Sequence, residues 1–297
     1  MSTLPISLSD ILAAQQRIAG HVHHTPIVRC QTLSMLCGCS LGLKGEHLQR
    51  SGSFKLRGAL NRLCQLSPAE KARGVVAFSS GNHAQGVALA ARICGLPAVI
   101  VMPSDAPKVK LDATRGYGAE VVLYDRQRED REALARKLCD ERGAVLVPPF
   151  DDPHIMAGQG TVGLEILADV PSVDTLLIPI GGGGLISGIA MAVKSQRPSV
   201  RVIGIEPEVA DDALRSRKAG QIVRIAQPQT IADGVATQAV GRLTFPVMQA
   251  LVDDIVTVSE SAVAAALGLV LTRAKQVIEP TAALGVAALL SGRCRLP

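Results

Sequence analysis

Between residues 74 and 147 short apolar runs alternate with helical stretches, and this alternation limits the fold more than any other feature of the chain. Val75–Phe78 follows Gly74 and ends in Ser79-Ser80-Gly81-Asn82. An alanine-rich helix is expected over 84–94, stopped by Gly95, and a second strand over 98–102, closed by Pro103. A helix over 106–117, a strand over 120–124, an amphipathic helix over 128–142 and a strand over 144–147 continue the series. Strands joined by helices pair in the same direction, because each helix carries the chain back across the sheet. The pattern resumes after Pro171 with a strand over 176–180, four glycines, a helix over 185–195 and a strand over 200–205. Residues 262–276 and 281–290 read as late helices. The fold class is α/β: two lobes of open, mostly parallel sheet flanked by helices, sharing one cleft.

Composition narrows the function. With four Phe, two Tyr and no Trp, the core must be built from Ala, Val, Leu and Ile, which suits small-residue helices lying on a parallel sheet. The net charge of +5 is spread along the chain. Nucleic-acid binding would require a basic stripe with aromatics for stacking, and the densest basic stretch, Arg126 to Arg131, is diluted by Glu129 and Asp130. No uninterrupted apolar run reaches membrane-spanning length, and the N-terminus lacks the basic and apolar regions of a signal peptide. The seven cysteines follow no framework spacing, so they read as reduced thiols of a cytoplasmic protein. His21, His23 and His24 read as a surface loop.

Three segments carry chemistry. Gly181–Gly184 lies between a strand and a helix start, where the absence of β-carbons exposes N–H groups beside the positive end of a helix. That is an anion site, with phosphate as the usual guest, or else a tight turn with no ligand. It matches neither the dinucleotide fingerprint nor the Walker loop. Ser79-Ser80-Gly81-Asn82-His83 sits at the C-terminal edge of a strand, where ligands of open α/β sheets bind. Serine there can also serve only as a helix cap. Lys55, in Ser51-Gly52-Ser53-Phe54-Lys55-Leu56-Arg57-Gly58-Ala59, gains meaning from the glycine loop. A lysine near a phosphate site suggests pyridoxal phosphate (PLP), held by the amine at its aldehyde and by the glycines at its phosphate. The plain alternative is a solvated helix lysine.

These segments, with Gly158-Gln159-Gly160-Thr161, resemble the fold-type II PLP enzymes, most closely the catabolic threonine/serine dehydratases and serine racemases, from about the first helix to residue 290. The resemblance implies a large PLP-binding domain of residues 1–73 and 151–297 and a small domain of 74–150. It implies that Lys55 forms the Schiff base, with Phe54 beside the ring. Asn82 would meet the ring's phenolic oxygen, and Gly181, Gly182, Gly183, Gly184 and Leu185 the phosphate. Ser79, Ser80 and His83 fall around the substrate carboxylate. Asp233 and Gly234 line the substrate side of the cofactor, and Arg131 approaches the substrate. In Glu206-Pro207-Glu208-Val209-Ala210-Asp211-Asp212, Glu206, the carbonyl of Ala210 and Asp212 correspond to a divalent-cation loop for Mg²⁺, Mn²⁺ or Ca²⁺. On the residues alone that stretch reads as an acidic turn. Relatives are commonly homodimers.

The implied activity is that of an ammonia-lyase converting L-threonine or L-serine into 2-oxobutanoate or pyruvate plus ammonia, with Lys55 as general base. Racemases of the family carry a serine at the position of Ser80, where many bacterial dehydratases carry alanine. Ser80 therefore makes a two-base racemase, or racemisation as a side activity, an alternative. A 3-hydroxyaspartate ammonia-lyase is a second. A third, of another class, is a PLP-binding protein impaired in turnover: the family's glycine-rich Ser-Gly-Gly-Asn strand end is not found, and Ser291-Gly292 reads as the end of the preceding helix. No regulatory domain is expected after residue 297, which favours the catabolic type.

Overall fold

The structure, a computed structural model, describes residues 4–296. Its strands are β1 (Ile27–Arg29), β2 (Gly42–Lys44), β3 (Val75–Phe78), β4 (Ala98–Pro103), β5 (Glu120–Tyr124), β6 (Val145–Leu146), β7 (Thr175–Pro179), β8 (Arg201–Pro207) and β9 (Asp254–Val258). They form an antiparallel hairpin β1-β2, a four-stranded sheet in the order β5-β4-β3-β6 and a three-stranded sheet in the order β7-β8-β9, both larger sheets parallel throughout. Every residue of β3 and β4 is buried, as a sheet covered on both faces requires. Alternate side chains serve opposite faces. Val75 and Ala77 of β3 pack with the helices Lys55–Cys64 and Asn82–Cys94, while Val76 and Phe78 pack with the helix Arg131–Arg142.

The helix Pro153–Asp169 was not evident in the sequence, although Asp152 caps it and Pro153 opens it. Its interior glycines cost about 1 kcal/mol each in helix propensity and mask the pattern. They are used for contact. A Cβ on Gly158 would lie 2.5 Å from the Cα of Gly58, and one on Gly188 would lie 2.3 Å from the Met156 carbonyl oxygen. The helix therefore touches Lys55–Cys64 on one side and Gly184–Gln196 on the other at backbone distance. Both of those helices begin at a candidate site residue.

Two further differences have local causes. β9 also escapes the sequence reading, because it opens on a charged residue, Asp254, directly after Asp253. The helix expected over 262–276 runs regularly only from Glu260 to Leu269, then becomes a π-helical turn, Val270–Ala274, ended by Lys275 at φ +57°. Thr272 Oγ1 donates to the Gly268 carbonyl at 2.6 Å, a back-bond that loosens helices. Among the described residues β7 has a strand partner on one side only, β8. Ser291 caps the helix Leu284–Leu290, its hydroxyl donating to Ala287 O. Among the described residues no helix is long and apolar enough to cross a membrane.

Candidate active site

A cavity of about 1400 Å³ is lined from both larger sheets. Phe54, Lys55, Ser79, Ser80, Asn82, His83, Arg131, the run from Gly181 to Leu185, Asp233 and Gly234 all line it. The cavity continues along β7 toward Cys294 and Leu296.

Lys55 is the first residue of its helix. Its ammonium donates to the Pro149 carbonyl at 2.8 Å and sits 5.3 Å from the centroid of the Phe54 ring. Burial lowers its pKa from 10.5 to about 8, against Glu279, whose charge acts in the opposite direction. A fraction of the amine is therefore neutral near physiological pH, the form that attacks an aldehyde or takes a proton.

Two residues further on, Arg57 is fully buried. It donates to both oxygens of Glu46, both oxygens of Glu165, Thr161 Oγ1 and the His23 carbonyl. The second cation of the lysine segment thus faces away from the cavity chemistry and fixes the helix that carries Lys55.

The turn after β3 supplies the opposite wall. Ser79 Oγ accepts the Gly81 N–H at 3.2 Å. Asn82 opens its helix, and its amide donates to both oxygens of Glu279, at 3.0 and 2.8 Å. His83 is buried, and burial first, then the charge of Lys55, lower its pKa to about 3. The neutral ring donates Nε2–H to the Val147 carbonyl at 3.0 Å, which leaves Nδ1 as an acceptor.

The glycine run forms a cup. A Cβ on Gly182 would lie 2.3 Å from the Phe150 ring, one on Gly184 3.0 Å from Phe150 Cβ, and one on Gly181 3.2 Å from Val235 Cα. Gly183 has φ +89° and would meet Thr244 Oγ1 at 2.9 Å. The Gly182 carbonyl is occupied by Thr244 Oγ1 at 2.6 Å and the Gly241 N–H at 3.1 Å. The cup caps the 13-residue helix Gly184–Gln196, whose first N–H groups and dipole favour an anion.

At the mouth, Gly234 N–H donates to Thr281 Oγ1, and Asp233 pairs with Lys110 Nζ at 3.0 Å. Lys110 also reaches over the turn after β3: a Cβ on Gly81 would lie 3.1 Å from its Nζ. The Arg131 guanidinium lies 5.6 Å from the centroid of the Phe78 ring. Lys110, Phe150 and Glu279 were not singled out from the sequence. The only local signal was Glu279-Pro280 before a late helix, which reads equally well as a helix start.

Glu206, Ala210 and Asp212 lie apart, at the end of β8. Glu206 is fully buried, and its two oxygens accept Ala213 N–H and Leu214 N–H, each at 2.9 Å. Asp212 is equally buried, and neither of its carboxylate oxygens has a partner among the described residues. Burial pushes Glu206 up to about 8 and Asp212 up to about 7. Among the described residues no three His, Cys, Asp or Glu side chains gather in one cluster, so any cation here would rest on two carboxylates, a carbonyl and water.

The chain is 46% identical to L-threo-3-hydroxyaspartate ammonia-lyase of Saccharomyces cerevisiae, over 95% of this chain and 86% of that protein. It is 44% identical to a serine racemase of Schizosaccharomyces pombe, over 94% and 86%. A solved structure of a T.th. threonine deaminase superposes with a TM-score of 0.93 at 50% identity, covering 98% of this chain and 94% of that one. The family described as pyridoxal-phosphate dependent enzyme matches residues 18–297, and with a lysine and an anion cup opening on one cavity, the chain belongs to that family.

Proposed function

We propose that this protein is a PLP-dependent ammonia-lyase acting on small β-hydroxy amino acids, L-threonine and L-serine first. The observation that carries the reading is the meeting of Lys55, its pKa lowered to about 8, with the Gly181–Gly184 cup in one cavity. The residues fit the cofactor: the cup has no room for a side chain where a phosphate would bind, and Lys55 and Asn82 line the same space. When bound, the cofactor offers an aldehyde for attachment and an electron-withdrawing ring that acidifies the α-hydrogen of an attached amino acid.

The chain supplies the rest. Lys55 Nζ would hold the aldehyde at rest, and its neutral amine, once free, would take the α-proton of the substrate. The cup N–H groups and the helix dipole would hold the phosphate, and Asn82, whose amide meets both oxygens of Glu279, would turn one N–H to the ring oxygen. The Ser79 and Ser80 hydroxyls would surround the substrate carboxylate, and neutral His83, whose Nδ1 can only accept, would line the same side of the cavity. Loss of the β-hydroxyl as water, with the equivalent of the proton given up by the α-carbon, followed by hydrolysis, would release one 2-oxo acid and one ammonia per substrate. Ser80, on the same cavity, would return a proton to the opposite face when the product is the enantiomer, which would give a racemase side activity.

A second reading, 3-hydroxyaspartate as the preferred substrate, is favoured by the two cations of the mouth. Lys110, over Gly81, and Arg131 would pair with a second carboxylate. A divalent cation at Glu206, Ala210 O and Asp212 is part of the same proposal, supported by the two partnerless oxygens of Asp212. So are a homodimeric, cytoplasmic enzyme and a division into a small domain of residues 74–150 and a large PLP-binding domain of the rest. The test is an assay of the PLP-loaded protein with L-threonine, L-serine and L-threo-3-hydroxyaspartate, following 2-oxo acid and the chirality of the remaining substrate. Release of 2-oxo acid supports the lyase, and D-serine alone would replace it with a racemase. Cofactor binding with neither product would leave a silent PLP-binding protein.

A further inference from the structure

The two helices that begin at Lys55 and Asn82 both end in cysteine, Cys64 and Cys94. The helices run in contact: a Cβ on Gly86 would lie 3.0 Å from the carbonyl carbon and Cβ of Lys55. At their far ends the two sulfurs are 3.7 Å apart, although 30 positions separate them in the chain. A disulfide places its sulfurs about 2 Å apart, so side-chain rotation and a small closure would join them. Both thiols are half-buried, reachable by a small reagent. The PLP chemistry makes no use of either.

We propose that Cys64 and Cys94 form a reversible redox site, closed to an intramolecular disulfide by a small-molecule disulfide such as oxidised glutathione. The Cys64 thiolate attacks one sulfur of the oxidant, breaking its S–S bond and releasing one glutathione thiolate, which takes up the proton that Cys64 gave up. The Cys94 thiol then loses its proton to solvent and attacks the Cys64 sulfur, expelling the second glutathione. Two protein thiols are oxidised to one disulfide, and one glutathione disulfide is reduced to two thiols. Cys64 is suited to the first attack. The hydrogen bond from Cys94 lowers its pKa, with the charges of Lys71 and Arg17 adding to that effect against burial. A larger thiolate fraction speeds the attack. The bond ties the helices at the ends remote from Lys55 and Asn82, so it stiffens the wall of the site and leaves the cavity open.

The test treats the PLP-loaded wild-type protein with oxidised glutathione, blocks remaining thiols by alkylation and maps peptides by mass. The expected product is a Cys64–Cys94 linked peptide pair within one chain, reversed by dithiothreitol. With it the melting temperature rises by about 5 °C, as expected for closing a long loop in the unfolded chain. Cys94→Ser should trap Cys64 as a glutathione adduct, and neither Cys94→Ser nor Cys64→Ser should give the crosslink. The proposal is overturned if Cys37 and Cys39 acquire glutathione while Cys64 and Cys94 remain free in the wild type. It is equally overturned if each of the pair carries glutathione without a crosslink, or if the crosslink joins two chains. Because the wild-type map requires no variant, failure of either serine variant to fold leaves the test intact.

Discussion

At the floor of the cavity, Gly181–Gly184 are shaped by what surrounds them: Phe150, Thr244 and Val235 fill every direction in which a side chain could grow. At the mouth, Lys110, Asp233 and Arg131 are long or exposed side chains held by one ion pair and one ring contact. The floor is specified by packing and tolerates almost no substitution. The mouth is specified by charge and can change with little effect on the fold. An ammonia-lyase and a racemase lie at 46% and 44% identity to this chain. A rigid floor beside a replaceable mouth would let one fold serve several reactions.

The comparison can be broken most forcefully beneath Lys55. Arg57→Ala leaves Glu46 and Glu165 charged without their buried partner, and should destabilise the protein by about 3–5 kcal/mol, read as a lower denaturant midpoint. A loss below about 1 kcal/mol, the size expected of a surface pair, would remove Arg57 from the packed part of the site. Next comes Gly183→Ala in the cup. The left-handed backbone alone costs about 1–2 kcal/mol, and the Thr244 contact adds to it, so PLP affinity should fall about 10- to 100-fold in a spectroscopic titration. Unchanged affinity would mean that the cup is only a turn.

Lys110→Ala should leave PLP affinity and melting temperature near wild type while lowering kcat/KM for L-threo-3-hydroxyaspartate about tenfold relative to L-serine, the loss of one charge-assisted contact. An equal loss for both substrates would place Lys110 with the packed machinery. The smallest effect concerns pH. Lys55 has a folded pKa of about 8, below its ordinary 10.5, so its neutral form grows as pH rises through 8. The rate of PLP capture by cofactor-free protein should therefore climb through that value and level off by about pH 9. A rate still rising toward the ordinary lysine pKa would show that burial does not tune this amine.

The same division decides what was legible in the sequence. Strand, glycine run and helix follow one another in the chain, so the cup and the alternation over 74–147 could be read from local signals. Glu279 meets Asn82 across 197 positions, and Lys110 meets Asp233 across 123. Neither partner announces itself in composition or spacing, and a single lysine on a helix reads as solvated. Arg57 stood in plain view beside Lys55, but its burial depends on Glu46 and Glu165, from two other elements. The helix Pro153–Asp169 was hidden by the glycines that let it pack. The sequence pointed to the acidic loop at Glu206 to Asp212. It could not reveal that Glu206 is already engaged by backbone N–H groups while both oxygens of Asp212 lack a partner.

The central claim is that Lys55 and the cup together make a PLP-dependent ammonia-lyase. The most direct measurement is 2-oxo acid release from L-threonine and L-serine by the PLP-loaded protein, beside a Lys55→Ala variant loaded in the same way. The account predicts 2-oxo acid and ammonia in equal amounts from the wild type and a loss of at least about 10³-fold in the variant, which still binds PLP through the cup but lacks its attachment point and base. Wild-type protein that binds PLP yet releases no 2-oxo acid, or a variant that turns over as fast as the wild type, would contradict it.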